Sequence, residues 1–210
     1  MSLTAKASGG GSIAPVEAGT HPAVCVGLID IGDQYNETYK KSSRKVIIQW
    51  EITDETITVD GKEVNRTISQ TYTNSLNERS ALYRDLISWR GKAFTDEELA
   101  GFDLVKILGA PCLLTITHQD RNGSTYANIS GIAKAMKGMN ITPTLPLFTF
   151  DLDVDPLEKM EGMPEWITKK IKESTTYQER VAGSGNDAGM EYPGAAAFEN
   201  ADEDDGELPF

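Results

Sequence analysis

The stretch KVIIQWEITD, residues 45–54, repeats with a period of two. Val46, Ile48, Trp50 and Ile52 fall on one face, and Lys45, Ile47, Gln49, Glu51 and Thr53 on the other. This is the pattern of a strand with a core side and a polar side. Just upstream, AVCVGLIDIG (23–32) is an apolar run closed by Gly-Asp, and it reads as a preceding strand. Downstream, Thr56 to Asn65 carries Val-Asp-Gly-Lys, with Asp60-Gly61 as the hairpin signal. RTISQTYTNS (66–75) is β-branched and polar, a third strand with much exposed surface.

The period then changes. Between Asn77 and Gly91, Leu82, Leu86 and Trp89 recur at helical spacing, and Gly91 is placed to close the helix. Thr95-Asp-Glu-Glu98 is a capping box that opens a second helical segment through Leu99, Phe102, Val105 and Leu108, with Gly101 as a break. Gly109-Ala-Pro111 stops it. CLLTITHQ (112–119) and STYANISGI (124–132) are strands four and five around a turn at Asp120 to Gly123. The order β-β-β-α-β-β is that of a mainly β, OB-fold barrel with a helical insert between strands 3 and 4. The expected organisation is a flexible arm over residues 1–19, the OB-fold domain over 20–150, a linker with a short amphipathic helix over 151–176, and a disordered acidic tail over 177–210. In that short helix, Pro164 to Glu173, the apolar side carries Trp166, Ile167 and Ile171.

Charge separates the tail from the rest. The 210 residues carry a formal net charge of −12. Residues 181–210 hold eight acids and no Lys or Arg, which leaves 24 of the 32 acids against all 20 bases in the first 180 residues. The acidic total therefore describes mostly the tail and does not exclude a nucleic-acid partner for the domain. No window approaches eighteen consecutive apolar residues, so no membrane span is expected. Met1 to Ser12 lacks an apolar signal core, and a cytoplasmic protein is expected. Cys25 and Cys112 read as reduced core thiols.

Catalytic constellations are missing from the sequence: it has no Walker loop, G-x-G-x-x-G, G-x-S-x-G or H-E-x-x-H. With only His21 and His118, a metal hydrolase is poorly supplied, and no metal or cofactor is expected. His118 reads as a surface histidine. Asp151, Asp153 and Asp155 alternate, but lack the continuation of a calcium loop and read as a solvated acidic linker.

Cations cluster in two places. Lys40, Lys41, Arg44 and Lys45 follow Tyr35 and Tyr39 in the connection between strands one and two, a loop that flanks the ligand face of an OB-fold. Arg121, Lys134 and Lys137 bracket strand five, and no acid lies between Arg121 and Lys137. Tyr126 shares a strand face with Asn128 and Ser130, where a ring beside cations suits base stacking. Tyr72 is a further candidate contact or a core residue. Trp50 and Trp89 read as core.

The chain closes in Asp204-Asp-Gly-Glu-Leu-Pro-Phe210. An acidic run, an aliphatic residue, Pro and a final Phe resemble the C-terminal tip of bacterial single-stranded DNA-binding proteins. Gly206 interrupts the acids and Leu208 replaces the usual Ile. The body over roughly 20–137, with its helical insert and its Trp-Arg-Gly and Leu-Gly-Ala-Pro-Cys segments, looks more like bacteriophage proteins of that kind. The resemblance implies a non-enzymatic protein that binds and protects single-stranded DNA in phage replication, recombination or repair. Its tip, Asp204, Asp205, Glu207, Leu208, Pro209 and Phe210, would recruit replication or recombination partners and compete weakly with DNA on the basic face. Oligomeric state is left open, a homo-oligomer included. The alternative reading is an acidic protein-interaction module or DNA-mimic inhibitor without DNA affinity.

Overall fold

The computed structural model describes residues 14–186. The first hairpin is longer than its sequence signal. β1 (Gly19–Asn36) and β2 (Lys41–Val59) are antiparallel and stay paired through irregularities after Cys25 and after Asp30, and a further one after Ile52 lies where β2 pairs the next strand. Bulges of this kind bend a strand and increase its twist. β3 (Lys62–Thr73) follows β2 through a two-residue turn in which Asp60 and Gly61 both take positive φ, 50° and 77°. That is the geometry an Asp-Gly hairpin supplies. β4 (Pro111–Arg121) and β5 (Ser124–Lys134) form a second hairpin around Asn122-Gly123.

The sheet order is β3-β2-β1-β4-β5. β1 pairs β4 only from Gly19 to Val24; from Gly27 to Ile29 it pairs instead, in parallel, with β6 (Phe148–Phe150). The molecule is thus mainly β, an open and otherwise antiparallel sheet with a few short helices. The expected order of elements is present. No ladder joins β3 to β5 among the described residues, so the sheet ends remain open.

The helical insert packs on one side of the sheet. α1 (Ala81–Arg90) is capped by the Ser80 hydroxyl at one end and by Gly91 at φ 67° at the other. It packs against both β5 and β3, across the open seam. Its Leu82, Leu86 and Trp89 are buried among residues from both hairpins, including Val46, Ile48, Trp50, Ile52, Leu114 and Ile132. The rings of Trp50 and Trp89 lie 5.8 Å apart, as expected of core tryptophans. The Thr95 capping box is formed, but α2 (Asp96–Ala100) is only five residues long. Gly101 is the expected break, and after it the chain continues as a 3₁₀ turn, Leu104–Ile107, rather than as further α-helix.

The opposite side of the sheet departs from expectation. Ile47, assigned to a polar face, is fully buried with Ile29 and Ile31 beneath Phe150, Leu152, Met160, Ile167 and Ile171. Residues 151–176 therefore do not hang free as a linker; they cover a second core. α3 (Glu165–Glu173) buries Ile167 and Ile171, while Trp166 stays 46% exposed. α4 (Thr175–Asn186) is helical, which corrects the expectation of disorder from 177 onward. The rest of the expected tail lies outside the described residues. Gly32 makes this layering possible: at φ 70°, a Cβ there would lie 2.7 Å from both Leu152 Cδ2 and Ser174 Oγ.

Candidate nucleic-acid interface

The β1–β2 tip is a four-residue loop, Glu37 to Lys40. The Asn36 side chain accepts a hydrogen bond from the Tyr39 N–H at 3.1 Å, and Lys40 takes a positive φ of 47°. Tyr35 is 55% and Tyr39 80% exposed, beside exposed Lys40 and Lys41. Rings of this size left in solvent forgo burial worth roughly 1.5–3 kcal/mol each. Lys45, at the base of the loop, donates from Nζ to Thr73 Oγ1 at 2.6 Å on β3. Thr67, Thr71 and Thr73 are exposed on that strand, opposite Glu51, Ile47 and Lys45.

Arg44 belongs to a different environment. Its guanidinium donates to both carboxylate oxygens of Asp30 and bridges to Asp153 at 2.8 Å. The Asp30 hydrogen bonds outweigh burial and hold its pKa above the ordinary arginine value. Arg44 is thereby taken out of the loop cluster: it ties β2 to the segment after β6. Asp153 and Asp155 are structural for the same reason. Asp155 accepts from the Asp151 N–H and from Lys159, and its pKa is lowered chiefly by that backbone hydrogen bond.

At the β4–β5 tip, Tyr126 is 53% exposed and pairs across from Gln119, whose side chain accepts from Arg121 at 2.8 Å. Asn128 and Ser130 are exposed on the same strand, whereas Ala127 and Ile129 pack toward the core. A depression of about 300 Å³ runs along Gln119, Arg121, Tyr126 and Asn128. His118 is exposed on β4.

The two tips are not adjacent in the sheet. Gly19 at the start of β1 faces Ile116, so β4 runs five residues further, about 17 Å, before its turn. The β1–β2 tip lies beyond the other end of β1. Lys134 sits apart from both: it pairs with Cys112 and lines a cavity of about 490 Å³ beside α1, and exposed Lys137 follows in the next turn. Arg121, the last residue of β4, pairs with Ser124 at the start of β5, so it is separated from Lys134 at the end of β5 by about 30 Å of strand. The sequence bracketed them together because a strand's ends look close in number but not in space.

Tyr72 is a correction. It is 2% exposed, and its hydroxyl donates to Asp85 at 2.8 Å. Burial, reinforced by Asp85, raises its pKa far above the phenol range. A base cannot reach it.

A scan against protein-family models and a search of curated proteins return no match.

Two features near these positions escaped sequence reading. Glu51 is fully buried under the chain at Thr144-Leu145, whose N–H groups donate to it at 2.9–3.1 Å, with further bonds from the Thr144 hydroxyl and Asn65. Burial alone would raise its pKa, but these hydrogen bonds outweigh it and the net shift is downward. The other feature is the company around Lys134: Arg90, Lys92 and Lys106 line the same cavity. They come from the end of α1 and the 3₁₀ turn, and no local motif links them.

Proposed function

We propose that the protein binds single-stranded DNA without sequence preference and takes no part in catalysis. The observation that carries this reading is the pair of hairpin tips, where Tyr35, Tyr39 and Tyr126 stand exposed beside Lys40, Lys41 and Arg121. Solvent-facing rings interleaved with cations suit a strand whose bases stack and whose phosphates are neutralised. Lys45 and the threonines of β3 add a polar surface next to one tip. The order β3-β2-β1-β4-β5, with a helix across the seam between β3 and β5, is compatible with an OB-fold barrel opened at that seam. The resemblance of the tip at Asp204, Asp205, Glu207, Leu208, Pro209 and Phe210 supports a role in recruiting replication or recombination proteins, in a phage setting within the host cytoplasm.

Titration of the full chain with oligo-dT and with duplex of equal length, at two salt concentrations, tests the reading. Tight, salt-sensitive binding to the single strand and weak binding to duplex are expected. Equal affinity for both, or none, would overturn it. One observation favours the alternative of an acidic interaction module: a cleft of about 570 Å³ places Asp30, Asp103, Asp151, Asp153 and Asp155 around Arg44. That reading expects no oligonucleotide affinity at either salt concentration.

A further inference from the structure

The cavity beside α1 has an apolar floor and a cationic rim. Trp89, Phe102, Ile107, Met136 and Met139 supply the floor. Arg90, Lys92, Lys106 and Lys134 stand around it against a single acid, Glu98. Glu98 is already committed. It bridges to Arg90 and accepts from the Thr95 N–H, and the Arg90 bond first, then that N–H, bring its pKa down to about 2. The Arg90 guanidinium lies 4.3 Å and 4.9 Å from the ring centroids of Phe94 and Phe102. Its Nη1 is buried and has no hydrogen-bond partner among the described residues. Met136 is 63% exposed, so the apolar floor reaches the surface.

An occupant must therefore offer an apolar anchor and several negative charges. A nucleobase fits less well, because the floor's two aromatic rings are already engaged: Trp89 is buried, and Phe102 packs against Arg90 and, edge-on, Phe94. One segment of this chain has the required chemistry. Asp202, Glu203, Asp204, Asp205 and Glu207 precede Leu208, Pro209 and Phe210, and no Lys or Arg lies between 181 and 210. Phe210 lies twenty-four positions beyond Asn186, a contour of at most about 85 Å, longer than any strand of the sheet.

We infer that residues 202–210 dock in this cavity, with Leu208 and Phe210 on the floor and the acids on Arg90, Lys92, Lys106 and Lys134. The seat differs from both hairpin tips. Docking therefore covers the tip segment without covering the tyrosines, and it does not depend on whether the protein binds DNA.

The test uses the full chain carrying a p-benzoylphenylalanine side chain in place of that of Phe210. Irradiation followed by peptide mapping should place the crosslinks at Met136 and Met139. The exposed pair Lys106→Glu and Lys134→Glu should cut that yield about tenfold, and so should high salt, since rim charges set such encounters. Circular dichroism and thermal melting of the charge-reversed chain should match the parent, which keeps lost docking separate from lost folding. Crosslinks at the hairpin tips instead, crosslinks at the cavity that survive both charge reversal and salt, or no crosslink at all would each overturn the proposal. DNA titration of the same variants reads the proposed function separately.

Discussion

Two tyrosines show how one residue type divides between roles. Tyr126 stands in solvent, whereas Tyr72 is buried and bonded to Asp85. Tyr126→Ala should leave the melting temperature unchanged and weaken oligo-dT binding by roughly 1–3 kcal/mol, the scale of one stacked base. Tyr72→Phe should do the reverse. It costs roughly 0.5–1.5 kcal/mol of stability for one hydrogen bond and leaves affinity intact. Parallel melts and titrations check both, and a swapped pattern would refute the assignment. Glu51 adds a pH dependence. Its pKa in the fold lies below the unfolded value of about 4.3, so its contribution is present above that pH and fades as pH falls through the folded value. Urea midpoints should be flat above about pH 5 and decline in acid. Glu51→Gln should make the decline shallower and cost about 1–3 kcal/mol at neutral pH, because buried donors at Thr144 and Leu145 lose their charged acceptor. Glu98 and Asp155, also held low, contribute in the same direction.

Elements divide the basic cluster that the sequence presented as one. Lys40 and Lys41 crown a loop, while Arg44 fastens β2 to the chain beyond β6. Lys40→Ala with Lys41→Ala should weaken DNA binding without moving the melt. Arg44→Ala should destabilise the fold, because Asp30 loses its partner. α3 offers a sharper test of the second core. Ile171 is fully buried, and Ile171→Ala should cost about 2–5 kcal/mol in urea unfolding. A negligible loss would mean that α3 merely rests on the sheet. Gly32→Ala combines about 1–2 kcal/mol of backbone strain with a steric clash against Leu152 and Ser174, so it should unfold more readily than a surface glycine change such as Gly123→Ala at the β4–β5 tip, which strains the turn but meets no neighbour.

Across the whole molecule, the cations available to DNA are fewer than the sequence suggested. With Arg44 engaged and Lys134 at a separate cavity, Lys40, Lys41, Lys45 and Arg121 remain near the tips. Each phosphate neutralised on a single strand contributes about −0.7 to the log–log salt slope, so four contacts give about −3. A slope near zero would remove the tips from the interface, and a slope much steeper would bring the Lys134 group back into it. Measurement of oligo-dT affinity over a range of salt decides between these.

Local chemistry was enough to name most elements. The Asp60-Gly61 turn, the Ser80 and Thr95 caps, the helical stripe of Leu82, Leu86 and Trp89 and the outward face of Tyr126 all follow from spacing within a few residues, and the structure has each of them. The charge asymmetry of the tail is likewise a property of sequence alone. Tertiary structure decided what lies across from what. Ile47 and Glu51 sit on an alternating strand whose second face is closed by residues about a hundred positions later, and no local period announces such a partner. Arg44 was read with its lysine neighbours because charge in a sequence shows no partner. Only folding set it between Asp30 and Asp153, and only folding set Lys134 beside Arg90, Lys92 and Lys106.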